Sequence, residues 1–218
     1  MTKITYNKIL LKKNVEAITC LTAYSYSIGR ILDNVVDLIL VGDSVGTTTY
    51  GMKNTRGVNI QMMKYHGRAV VESTKNSMTI VDMPYNTYRN KKEALFNSLD
   101  IIKYTKADFI KIETDENNIE IVRHLSKKNI NVVSHIGVTP QKFNDFSKIK
   151  SVGKNKSEIE VLVNLAKKLE NAGSKLIVLE CITAAASKKI TKALSIPTIG
   201  IGSSKYCDGQ VLVIDDIL

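Results

Sequence analysis

Five successive apolar runs in this 218-residue sequence end in groups that can hold a cation or move a proton. VDLILVG (36–42) is followed by Asp43 and Ser44, MTIVDM (78–83) carries Asp82, and DFIKIE (108–113) carries Lys111 and Glu113. NVVSHIG (131–137) carries His135, and KLIVLEC (175–181) carries Glu180. Asp43 and Asp82 are hard oxygen ligands suited to Mg²⁺, which takes one or two carboxylates and fills its shell with water and substrate oxygens. Glu113 can hold a water of that shell. Lys111 and Glu113 alternate around Ile112, so they share one face of an extended segment. His135 can donate to a substrate oxygen. Glu180 follows an apolar run, and burial there raises a carboxyl pKa, as a general base for a carbon acid requires. Each residue also has a plainer reading: Asp43 as a turn cap, Lys111 and Glu113 as a structural ion pair, His135 as a satisfied core histidine. Taken together they describe carbon–carbon bond formation on an α-keto acid. A divalent metal withdraws electrons, a glutamate removes the proton beside the ketone, and the metal-stabilised enolate attacks an electrophile.

Those groups need a scaffold that brings strand ends together. AITCLTA (17–23) and PTIGIG (197–202) complete a set of seven Val/Ile-rich runs, mostly continuous, as strands buried on both faces of a parallel sheet must be. Helix signals lie between them. Asn90 with Glu93 forms an N-cap pair, ahead of a helix placing Leu95, Leu99 and Ile102 on one face. Ser157 with Glu160 reads as a second capping box, and Gly173 ends that helix. Strand and helix alternating without a composition shift imply a single (β/α)₈ barrel over residues 1–218, whose C-terminal strand ends share one mouth. QVLVIDD (210–216) has the composition of an eighth strand. Only about seven residues precede it, fewer than the dozen a helical crossover needs. That spacing calls for an irregular segment or a tight link.

Composition narrows the alternatives. The net charge of +10 comes from 26 Lys and 5 Arg spread along the chain, a solvated lysine-rich surface rather than an arginine-based nucleic-acid reader. No apolar run reaches the ~20 residues that span a bilayer, and the first residues carry no signal-peptide pattern. Cys20, Cys181 and Cys207 lack metal-ligand spacing. A cytoplasmic protein acting on small molecules, without nucleic-acid or membrane partners, is expected.

The chain resembles the ketopantoate hydroxymethyltransferase family. The resemblance rests on TAYSYS (22–27), LVGDSVG (40–46), DMPY (82–85), IKIE (110–113), HIGVTPQ (135–141), IVLEC (177–181), IPTIGIG (196–202) and CDGQVLV (207–213). It implies a (β/α)₈ barrel of the phosphoenolpyruvate mutase and isocitrate lyase type, usually a homo-oligomeric decamer. It also implies transfer of a one-carbon unit from 5,10-methylenetetrahydrofolate to α-ketoisovalerate in pantothenate synthesis, on the way to coenzyme A. By that resemblance Asp43 and Asp82 bind Mg²⁺, with Glu113 near it through water. Ser44 and Lys111 contact the keto acid, His135 lies beside it, and Glu180 is the base. The chain departs from the family pattern at NTRGVN (54–59), at Ser134, at Ser203-Ser204, and in lacking a C-terminal helical region after the last strand. That last departure predicts exposed apolar surface around strand eight, either covered by an oligomer interface or left bare in a marginal, truncated form. Two other readings compete: a lyase or mutase on the same barrel, and a barrel kept as a non-catalytic assembly subunit. The first lacks a Cys near residues 110–120, and the second has to explain six retained chemical groups.

Overall fold

The computed structural model describes residues 3–218. Eight strands, all parallel, close in chain order into a barrel. They are β1 (Ile18–Thr22), β2 (Leu38–Val41), β3 (Met78–Asp82), β4 (Phe109–Glu113), β5 (Val132–Gly137), β6 (Leu176–Glu180), β7 (Thr198–Ile201) and β8 (Gly209–Leu212). Helix α1 (Tyr6–Lys12) precedes the barrel, and α2 (Tyr26–Leu32) joins β1 to β2. The longer β2–β3 connection holds α3 (Val45–Thr48) and α4 (Ile60–Ser73). Single helices complete the next four connections: α5 (Lys91–Thr105), α6 (Ile119–Lys127), α7 (Lys156–Ala172) and α8 (Ala184–Ala193). Among the described residues no helix is long and apolar enough to cross a membrane.

The eighth strand resolves as a tight link. Residues 202–208 carry the chain directly from β7 to β8, in register Ile199–Gly209 and Gly200–Gln210. β8 is shorter than the 210–216 run and gives way after Leu212 to a single 3₁₀ turn, Ile214–Asp216. Gly209 makes the closure possible, because a Cβ there would lie 2.3 Å from the Ile18 carbonyl oxygen. On the outer side of β8, Gln210 and Leu212 are exposed, in line with the exposed surface expected around strand eight.

Strand parity sorts the core. Ile18, Leu38, Leu40, Met78, Ile80, Phe109, Val133, Leu176, Val178 and Val211 pack inside the barrel, joined at the bottom by Ile9 from α1. The residues between them in sequence pack outward against the helices, as strand alternation requires. At that bottom end one device recurs. Asp37, Asp108 and Asp208 each stand just before an even strand. Each takes a backbone N–H and a hydroxyl hydrogen bond from a threonine on the preceding strand: Thr19, Thr79 and Thr198. Ser134 and Ser174 pair similarly between β5 and β6, Oγ to Oγ at 2.6 Å. Three lysines of the N-terminal segment lock onto these acids, Lys12 on Asp37, Lys3 on Asp108 and Lys13 on Asp208, each at 2.8 Å.

Two helix expectations need correction. The buried face of α5 is Ala94, Ser98, Ile101 and Thr105, while Leu99 is exposed. Small residues take the inner stripe because α4 packs close, with Gly67 of α4 against Thr105. The cap of α7 is Asn155 with Glu158, two residues earlier than expected. The Glu158 N–H donates to Asn155 Oδ1, and Asn155 Nδ2 donates to Glu158 Oε1. The other signals hold: Asn90 Oδ1 accepts the Glu93 N–H, and Gly173 ends α7 at φ +102°.

Candidate active site

The inward parity of the apolar core continues upward into polar residues. Above Ile80 comes Asp82, above Phe109 come Lys111 and Glu113, above Val133 comes His135, and above Val178 comes Glu180. These five, with Asp43 and Ser44 from the turn after β2, line one cavity of about 220 Å³ floored by Leu40, Val178 and Val211. The structure therefore brings together every residue singled out from the sequence.

Local geometry explains how each group is held. Asp43 leaves β2 at Gly42, where a Cβ would lie 2.7 Å from Ser44 Oγ, so the backbone turns sharply there. The Asp43 N–H then donates to Asp82 Oδ2 at 3.1 Å, and Lys111 Nζ donates to the same oxygen at 2.8 Å. Ser44 Oγ is 2.7 Å from the Tyr24 hydroxyl. Glu113 Oε1 accepts the Gln141 backbone N–H at 3.1 Å and lies 3.9 Å from His135 Nδ1. Across the cavity, His135 Nε2 is 3.0 Å from Glu180 Oε2, at an angle that forms no hydrogen bond. Cys181, directly after Glu180, has φ +50°, a left-handed conformation costing about 1–2 kcal/mol in a non-glycine residue.

Five buried polar atoms of residues lining this cavity have no hydrogen-bond partner among the described residues: Thr55 Oγ1, Asp82 Oδ1, Glu113 Oε2, and both ring nitrogens of His135. Buried polar groups are satisfied in nine cases of ten or more, so five in one cavity mark capacity reserved for something else. The electrostatics agree. Burial, then the neighbouring Asp82, pushes the Asp43 carboxyl up to about 7. Burial, then Asp43, raises Glu113 well above the usual carboxylate range. Burial works against the Lys111 ammonium, but Asp82 and Asp43 outweigh it and hold the proton more tightly than usual. One cation among several acids leaves a site that gains from a second positive charge.

Glu180 is less buried than its apolar run predicts. Its side chain keeps 17% exposure at the rim, whereas Glu113 is sealed at 5%. Among the described residues, no three His, Cys, Asp or Glu side chains form a complete metal cage.

Sequence reasoning missed Gln141. Its side chain is buried between the two acids: Nε2 donates to Asp43 Oδ2 at 2.7 Å and to the Met83 carbonyl at 3.0 Å. Its Oε1 accepts from the Tyr88 hydroxyl at 2.5 Å. Burial, then Glu113 and Asp43, pushes the Tyr88 phenol up, so it remains a donor. The motif HIGVTPQ includes Gln141, but nothing in its spacing reveals a contact with a residue 98 positions away. The departures at Ser134 and Ser203 lie outside the catalytic layer. Ser134 faces Ser174, and Ser203 bonds Ser187 and the Ile182 carbonyl. The altered 54–59 segment does reach the cavity. Thr55 lines it, and Arg56 stacks on Tyr85 and bonds both Tyr85 and Asn144, tying this loop to the one after β5.

Residues 3–218 match the family described as ketopantoate hydroxymethyltransferase. A relative from Pelagibacter ubique, named 3-methyl-2-oxobutanoate hydroxymethyltransferase, is 47% identical over 95% of this chain and 79% of its own length. One from Helicobacter pylori with the same name is 42% identical over 99% of this chain and 80% of its own. Among solved structures, phosphonopyruvate hydrolase superposes with a TM-score of 0.74 at 11% identity, covering 100% of this chain and 82% of that one. 2,3-Dimethylmalate lyase, of the PEP mutase/isocitrate lyase superfamily, superposes at 0.71 and 12% identity, covering 98% and 82%. These two likenesses bear on the fold alone: a (β/α)₈ barrel.

Proposed function

The chain belongs to the ketopantoate hydroxymethyltransferase family, and on that premise we propose that it transfers a hydroxymethyl group from 5,10-methylenetetrahydrofolate to α-ketoisovalerate. The products are ketopantoate and tetrahydrofolate, a step of pantothenate and coenzyme A synthesis. The observation that carries this reading is the set of unpartnered buried atoms, Asp82 Oδ1, Glu113 Oε2 and the His135 nitrogens, facing one cavity at the strand C-termini.

The residues fit a divalent cation. Asp43 and Asp82 would hold Mg²⁺ directly and Glu113 through water, because hard carboxylate oxygens with spare lone pairs suit it. When bound, Mg²⁺ draws electron density from the keto acid's carbonyl. Lys111, fixed by Asp82, keeps a positive charge beside the negative charge that develops on the substrate oxygen. His135, with both nitrogens free, has a donor to offer a substrate oxygen. Glu180, at the rim and opposite the acids, accepts the proton from C3 of the keto acid. Water adds to the folate's methylene carbon and releases formaldehyde, with both C–N bonds breaking and the two nitrogens leaving with their electron pairs and taking the water's protons. The C3 carbanion equivalent then attacks the formaldehyde carbon, and the resulting alkoxide takes back the proton held by Glu180 to become the hydroxyl. A cavity of about 220 Å³ suits a keto acid with a short branched side chain.

The reading includes a cytoplasmic homo-oligomer, and exposed Leu11 and Val15 near the barrel bottom and Phe96 on α5 offer apolar surface for self-association. Mass spectrometry of a mixture of protein, Mg²⁺, α-ketoisovalerate and 5,10-methylenetetrahydrofolate tests it. Ketopantoate should accumulate and stop on adding EDTA. A folded, Mg²⁺-supplied protein that forms none would contradict the proposal.

A further inference from the structure

We propose that Gln141, locked by Tyr88, is a positioning residue that aims the Asp43 and Glu113 carboxylates at the cation and so sets the metal affinity of the site. This rests on the metal-binding reading above.

The orientation of the Gln141 carboxamide follows from its partners. The Met83 carbonyl and an ionised Asp43 can only accept, so the nitrogen must face them. The Tyr88 hydroxyl, which can donate, faces the oxygen. Reversing the amide would set its oxygen against two acceptors and leave Tyr88 pointing its proton at an NH₂ group. A buried amide with all its partners assigned in this way has one orientation.

The consequence is a division of labour among the carboxylate oxygens. Gln141 engages Asp43 through Oδ2, and its backbone N–H engages Glu113 through Oε1. Asp82 is engaged through Oδ2, by Lys111 and the Asp43 N–H. One oxygen of each acid is thus fixed, and Asp82 Oδ1 and Glu113 Oε2 remain buried and unspent. A single residue touches two of the three acids, from two different strand ends, through side chain and backbone together. Outer-shell partners of this kind set ligand orientation, and removing one costs about 10–100-fold in metal affinity. The Tyr88 hydroxyl reaches the Asp43 carboxylate through the Gln141 amide, donating to its oxygen while its nitrogen donates to Asp43.

Mn²⁺ binding, read by electron paramagnetic resonance on purified full-length protein without substrate, tests the inference independently of turnover. Gln141→Met, close in size and unable to hydrogen-bond, should weaken Mn²⁺ binding by about 10–100-fold. Tyr88→Phe, which deletes one hydroxyl, should weaken it by about five-fold. In the double variant Tyr88→Phe should add nothing to Gln141→Met, because the lock has lost what it holds. Circular dichroism confirms folding in each case. Should Gln141→Met fold poorly, Tyr88→Phe alone carries the test. Wild-type binding with both single variants unchanged would overturn the inference while sparing the metal site, and so would two independent, multiplying effects. A wild-type protein that binds no Mn²⁺ would overturn the metal reading and this inference together.

Discussion

The two ends of the barrel use the same residue types to opposite ends. At the bottom, Asp37, Asp108 and Asp208 are each filled by a threonine N–H, a threonine hydroxyl and a lysine. At the top, Asp82, Glu113 and His135 are buried too, but among the described residues they keep oxygens and nitrogens without a hydrogen-bond partner. Burial or charge alone does not separate the two sets. What separates them is unspent hydrogen-bonding capacity, which the bottom lacks and the top concentrates in one cavity. In barrels of this kind the C-terminal mouth carries chemistry and the N-terminal end carries stability. Here that division is visible atom by atom.

Changes at the top should therefore alter reactivity, and changes at the bottom should alter stability. The largest effect is expected from Glu180→Gln, which keeps shape and removes the base. Turnover should fall by about 10²–10⁴-fold with an unchanged circular dichroism spectrum. Next is Asp208→Ala at the bottom, which strands the buried Lys13 ammonium and two threonine donors. Urea unfolding should show a loss of about 3–5 kcal/mol, with turnover per folded molecule within about two-fold of wild type. A loss under about 1 kcal/mol would break the comparison at its lower end.

A third effect concerns pH. The metal-free site holds a proton on Asp43 with a pKa of about 7, and that proton competes with the cation. Mg²⁺ binding should therefore weaken by about ten-fold from pH 8 to pH 6, measured by calorimetry with proton release in the same titration. Binding that is flat over this range would show that Asp43 is not a ligand. The smallest effect is expected from Thr79→Val, which removes one hydroxyl from a clamp and keeps the shape. A loss of about 0.5–1.5 kcal/mol in urea unfolding, with no change in metal binding, is expected.

Much of this was legible in the sequence because the signals were local. Continuous Val/Ile runs fix the strands. A polar residue two positions beyond an inward apolar one, as Asp82 is beyond Ile80, must share its face. The opening N-cap of α5 and the glycine stop of α7 were equally local. What the sequence concealed depends on packing between distant segments. The inner stripe of α5 is Ala94, Ser98 and Ile101 because α4 comes close, and no periodicity of large apolar residues reports that. Gln141 reaches Asp43 only after β2 and β5 have been brought to one mouth. The three threonine–aspartate clamps span 18, 29 and 10 residues, so no fixed spacing announces them.

The central claim is that this mouth removes a proton from the carbon beside a ketone. Proton NMR of α-ketoisovalerate in D₂O, with protein and Mg²⁺ and without folate, tests that step alone. The C3 proton signal should decay with the wild-type protein and persist with Glu180→Gln or with chelator. A wild-type protein, folded and Mg²⁺-bound, that leaves the C3 proton in place would contradict it.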